Sequence, residues 1–179
     1  MAITKEEMTF GLLSDNPSAW LEQAERLRIS AELIWAKFME VEPLPQTLPR
    51  VRVQTLAFMQ SYMLLMGLSF ENLIKGVHIS KTPHLSTDKR MELWRKYRKG
   101  HGIAKMIELV DSVTLEEENL LKRLEEFTIW AGRYPIPSSL SQYFGSRTPD
   151  NLLSVTTRDP GLSDGLFKRL SAMTRTTNQ

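Results

Sequence analysis

The chain has no cysteine, which excludes disulfides, thiolate metal sites and cysteine nucleophiles. Histidine is scarce: His78, His84 and His101 are too few and too scattered for a zinc site, so no metal is expected. HExxH, a glycine-rich phosphate loop, a nucleophile elbow and a paired-carboxylate metal helix are all missing, and no cofactor is expected. No period-two run reaches strand length, and no internal repeat appears. The most apolar stretch is interrupted too often by polar side chains to cross a membrane. Met1 to Phe10 lacks the basic-then-apolar pattern of a signal peptide, so a cytoplasmic protein is expected. An excess of one charge is missing too. Lysine and arginine number 23 against 21 acidic residues, a net +2, which argues against a general nucleic-acid coat.

The even balance hides a segregation. Residues 1–46 hold four basic and eight acidic side chains, and residues 108–126 hold two basic and seven acidic. Between them, Lys89, Arg90, Arg95, Lys96, Arg98 and Lys99 stand against Glu92 alone. Such blocks are first of all solvated faces, and secondarily partner sites. Lys89, Arg90, Lys96, Arg98 and Lys99 are therefore the candidate nucleic-acid contacts.

At 179 residues the chain suits one domain with a real core. Residues 1–15 read as an arm. Asn16-Pro17 reads as an N-cap with proline at the first helical position, and Trp20, Ala24, Leu27, Ala31, Ile34, Phe38 and Val41 continue as an amphipathic stripe. Pro43 and Pro45 end it. Val53 to Ile79 is the central helix, apolar round nearly its whole circumference and so expected to be buried on all sides. Gly67 within it costs about 1 kcal/mol against alanine unless another helix crosses closely there. Residues 88–98 predict a short helix, Ile103 to Val110 another, and Thr114-Leu115-Glu116-Glu117 a capping box opening the next. That helix stops at Gly132 to Pro137. Asp159-Pro160-Gly161 reads as a turn, Leu166 to Met173 as a last short helix, and Thr174 onward as a tail. The fold expected is all-α: an up-and-down bundle of four to five main helices over 16–137, with an irregular extension over 138–179.

Glu71 sits inside the most apolar helix, and a carboxylate there requires a partner. Lys75, at i+4, offers a local ion pair. Arg133 offers a bidentate one from just past a helix end, with Tyr134 beside it, so Glu71, Lys75, Arg133 and Tyr134 form the expected buried polar cluster. His101, between two glycines, reads as a network histidine in a basic setting.

Phe70-Glu71-Asn72-Leu73-Ile74-Lys75-Gly76, then Gly100-His101-Gly102-Ile103-Ala104-Lys105, then Trp130-Ala131-Gly132-Arg133-Tyr134-Pro135 together resemble the HEPN superfamily. These are helical-bundle domains of prokaryotic toxin–antitoxin, defence and nucleotide-associated systems. The resemblance implies a four-to-five-helix bundle that commonly forms a homodimer. It also implies RNA, a nucleotide, or an antitoxin or nucleotidyltransferase-like protein as partner. Many members are metal-independent ribonucleases with an arginine, four to six residues, then a histidine. Arg95 and His101, with five residues between them, are the catalytic pair this implies. Lys96 stands where the family usually carries a small polar residue, and the pair precedes the third helix rather than a late one. The leading reading is therefore a non-catalytic binding module. The ribonuclease and a structural scaffold are the alternatives.

Overall fold

The computed structural model describes residues 13–97, 100–133 and 154–175, and every regular element among them is helical. We label the helices α1 (Pro17–Val41), α2 (Pro49–Lys81), α3 (Thr87–Arg95), α4 (Ile103–Met106), α5 (Leu115–Glu126) and α6 (Asp159–Arg175). A 3-10 turn over Ile107–Leu109 extends α4, and a π turn over Phe127–Ala131 extends α5. Four long helices form an all-α bundle, with α3 and α4 as short pieces beside it.

α1 opens as its sequence predicts: the Asn16 side chain accepts from the Ser18 amide at 3.0 Å, and Pro17 fills the first turn. Its buried positions are Ala24, Ala31 and Phe38, one every seven residues. The two alanines let α2 approach closely, and the Ser69 hydroxyl of α2 donates to the Ala24 carbonyl at 2.7 Å. Gly76 serves the same crossing. A Cβ there meets the Trp20 Cβ at 3.0 Å.

The capping box at the start of α5 is complete, with Thr114 and Glu117 exchanging bonds at 3.2 and 2.9 Å. α5 then buries Leu120, Leu121 and Leu124 against α2. Their crossing falls at Gly67, where an added Cβ lies 2.2 Å from Thr128 Oγ1 and 2.9 Å from the Leu124 carbonyl. The close crossing that this glycine called for is thus present. Past it, α5 widens into the π turn: the Gly132 amide reaches back five residues to Phe127 O at 3.1 Å.

Two expectations for the C-terminal region are corrected. Asp159-Pro160-Gly161 is the first turn of a 17-residue helix. Proline is at home there because a first-turn amide has no partner to lose. The Asp159 carboxylate accepts from the Thr156 amide and hydroxyl, and the Arg123 guanidinium donates to both of its oxygens at 2.7 and 2.9 Å. Nor does the tail start at Thr174, which is buried in the helix. Within the expected extension, α6 supplies Leu166, Phe167 and Leu170 to the main core. Arg169 ties it to α5 by donating to both Glu117 oxygens at 2.9 and 3.1 Å. Burial raises the Glu117 carboxyl, and the hydrogen bonds from Arg169 and Thr114 outweigh it, leaving Glu117 below the ordinary carboxylate range. Residues 138–153 lie outside the described residues, as do 1–12 of the expected arm.

A third correction concerns α2. It is buried all round only from Tyr62 onward; before that, Val53 and Leu56 are exposed. The helix expected from Ile103 to Val110 likewise tightens to 3-10 after Met106. None of the described helices is long and apolar enough to cross a membrane.

Candidate functional site

Glu71, Lys75 and His78 fall at i, i+4 and i+7 along α2, which places them on one face of that helix. Together with the cap residue Thr82, each fastens part of the segment between α2 and α5. Glu71 Oε1 accepts from Lys75 Nζ at 2.6 Å, and its Oε2 lies 2.9 Å from His101 Nδ1. The Lys75 ammonium sits 5.5 Å from the Trp94 ring centre and 5.9 Å from that of Trp20. One turn on, the Trp94 indole donates to His78 Nδ1 at 3.2 Å. One further turn on, Arg90 donates to the Thr82 carbonyl at 2.8 Å.

This seam is dry. Glu71 and Lys75 side chains are 9% and 11% exposed, whereas the His101 side chain is 48% exposed. A carboxylate and an ammonium with two indole faces beside the cation satisfy each other there. Because Nδ1 of His78 accepts the Trp94 indole proton, that imidazole is neutral. Burial first, and the Arg90 charge second, hold His78 below its ordinary 6.5.

His101 reaches Glu71 because the backbone around it is unusual. Gly100 adopts φ +95°, a left-handed conformation that suits glycine. The Gly100 and Gly102 amides both donate to the Tyr97 carbonyl, at 2.8 and 3.0 Å. A Cβ on Gly102 meets the Tyr97 backbone at 3.0 Å. Beyond the loop, Glu125 of α5 accepts from the Ala104 amide at 3.0 Å and anchors α4. The imidazole is therefore held from one side. Its Nδ1 faces the carboxylate, which only accepts, and Nε2 is left for another group.

The other expected site residues fare differently. Glu71 pairs with Lys75 and His101, and not with Arg133, which is exposed and donates to the Ile129 carbonyl. Arg133 follows directly on the π turn Phe127–Ala131 that closes α5. Arg95, exposed in the last turn of α3, makes no hydrogen bond or ion pair among the described residues, so no direct bond joins it to His101. Arg90 is corrected as a nucleic-acid contact: it is 3% exposed and committed to Asp15 and Thr82. Lys89 and Lys96 are exposed, with Glu92 4.0 Å from the Lys96 ammonium. Tyr134, Arg98 and Lys99 lie outside the described residues.

Trp20, Trp94 and His78 also belong to the site, and sequence reasoning does not single them out as site residues. The signal for His78 was its spacing from Glu71 and Lys75; nothing local marked the tryptophans. A separate cavity of about 290 Å³, lined by Leu13, Ser14, Ala19, Trp20, Gln23 and Asn72, contains no titratable side chain. Among the described residues no group of three or more histidine, aspartate or glutamate side chains is placed to hold a metal ion. Comparison with protein-family models, curated proteins and solved structures finds no match.

Proposed function

We propose that this chain is a HEPN-like bundle of a defence or toxin–antitoxin system. It binds RNA phosphates at the surface formed by α3 and the His101 loop, without cleaving them. The observation that carries this reading is the set of exposed cations Lys89, Arg95 and Lys96, of which Lys96 alone has an ion pair among the described residues, with Glu92 at 4.0 Å, leading into an imidazole whose Nε2 faces away from Glu71. Arg95 and the lysines supply charge to phosphate oxygens, and the His101 ring, when Nε2 carries a proton, donates a directed hydrogen bond to one of them. Fluorescence anisotropy with a labelled single-stranded RNA tests it. Affinity is expected to fall steeply with salt, and Lys96→Ala to lower the log–log salt slope by about one. Binding indifferent to salt, or no binding at low salt, returns the segment to a solvated face.

A second reading, the metal-independent ribonuclease, is favoured by the Glu71–His101 contact, since a carboxylate-oriented imidazole suits proton transfer. In it His101 takes the proton of the ribose 2′-hydroxyl, that oxygen attacks phosphorus, and the 5′-oxygen leaves, producing a 2′,3′-cyclic phosphate. Arg95 stabilises the added charge on phosphorus. Cleavage that survives EDTA and is lost in both His101→Ala and Arg95→Ala selects this reading over simple binding.

A further inference from the structure

The turn that joins α1 to α2 satisfies most of its own backbone. Pro43, Pro45 and Pro49 have no amide to offer. The Leu44 and Leu48 amides donate to the Val41 and Pro45 carbonyls at 3.0 and 3.1 Å. The Gln46 side-chain amide donates to the Glu42 and Leu44 carbonyls at 3.0 and 3.1 Å. Only the Gln46 and Thr47 amides remain as free donors in the turn. A segment so arranged leaves water at little polar cost. What it presents outward is apolar: Leu44 and Leu48 are 46% and 53% exposed, and Val53 follows in α2 at 66%. Behind it the hairpin is packed, with Phe38 and Val51 buried and the Phe38 ring stacked on Trp35 at 5.0 Å. The turn is therefore a preformed apolar projection, and exposure of this kind marks a contact surface.

Charge selects the occupant. From 43 to 70 the chain has no acidic residue, and Arg50 and Arg52 are the only cations. Both are exposed, and neither side chain makes a hydrogen bond or ion pair among the described residues. They follow Leu48 by two and four positions. An apolar tip backed at once by unpaired arginines complements a lipid surface with anionic head groups, where hydrocarbon takes the leucines and phosphate takes the guanidinium forks. The settled backbone favours lipid over a protein groove, because hydrocarbon offers an amide no partner. We propose that this turn docks the protein on the anionic face of a bilayer. Leu44 and Leu48 enter as far as the head-group boundary, Arg50 and Arg52 hold lipid phosphates, and no helix crosses. Glu42, exposed at the end of α1 and bonded by its side chain to nothing among the described residues, stays on the water side and limits the depth. Glu71 lies 22 residues beyond Pro49 on α2, or about 33 Å at 1.5 Å per residue. With the hairpin standing on the membrane, the surface of α3 and the His101 loop is left to a partner of its own.

Co-sedimentation of the full chain with large vesicles tests this, with circular dichroism melts as the folding control. One set of vesicles is phosphatidylcholine alone; the other contains one part phosphatidylserine to two parts phosphatidylcholine. The wild type is expected to bind the phosphatidylserine vesicles more tightly, and added salt to weaken that binding. Leu44→Ser/Leu48→Ser is expected to weaken it by about tenfold or more while melting like wild type, because both side chains are already exposed. Arg50→Ala/Arg52→Ala should weaken it by about tenfold or more, and Glu42→Gln should strengthen it. Binding to neither set of vesicles, or equally to both, overturns the proposal. So does binding that Leu44→Ser/Leu48→Ser leaves unchanged. Loss in Lys89→Ala/Lys96→Ala with none in the leucine variant would place the lipid on α3, and overturns it too.

Discussion

The two halves of α2 are both rich in apolar side chains, yet one is an interior and the other a surface. From Tyr62 to Ser80 the helix is wrapped by α1, α5, α6 and the α3–α4 segment, and it accommodates Glu71, Lys75 and His78 with partners for all three. From Pro49 to Ser61 Val51 alone is buried. The comparison teaches that apolar composition does not decide burial. Enclosure does, and enclosure depends on how far the neighbouring helices reach. It also shows where polar chemistry is kept: the charged seam lies in the enclosed half, where low dielectric makes each pairing decisive.

Lys75→Ala should break the enclosed half most severely. It leaves the Glu71 carboxylate buried beside a half-exposed histidine, and a loss of about 3–5 kcal/mol in denaturant unfolding is expected. Replacing both partners, Glu71→Leu with Lys75→Met, should cost far less, since no uncompensated charge remains. If single and double variants unfold alike, the pair is not what holds the seam.

Gly67→Ala comes next. The added methyl group must push against Thr128 and the Leu124 carbonyl, and overpacking at such a crossing costs about 1–3 kcal/mol. A melting temperature equal to wild type would mean that α5 does not cross α2 there.

A smaller effect concerns acid. His78 is held below its ordinary value, so in the folded state it resists protonation more than in the unfolded chain. Its contribution is therefore fully present above about pH 6.5 and is lost as pH falls through the lower folded-state value. Stability measured between pH 7 and pH 5 should fall less in His78→Gln than in wild type. An identical slope in both proteins assigns the acid sensitivity to other groups.

Least of all should change in the open half. With the protein dilute, Leu33→Ser and Val53→Ser should each leave unfolding within about 0.5 kcal/mol of wild type. A loss of several kcal/mol in either would place these side chains in a monomer core and erase the contrast between the two halves.

Local chemistry in the sequence determined the helical class, the Asn16-Pro17 start of α1, the Thr114–Glu117 capping box and the presence of the central helix. These depend on side chains within one turn of each other. It also determined that Glu71 needs a partner, because an unpaired carboxylate in an apolar helix is costly. Which partner it has was decided by tertiary structure. Arg133 had the better charge geometry on paper, but it stands exposed just past the π turn, while Gly100 and Gly102 fold His101 inward. The same holds for the last helix. Asp159-Pro160-Gly161 has the composition of a turn, and the Arg123 clamp from α5 fixes it as the first turn of a core helix. The burial of α2 was settled in the same way, because periodicity records which side chains are apolar and the lengths of α5 and α6 determine which of them another helix reaches.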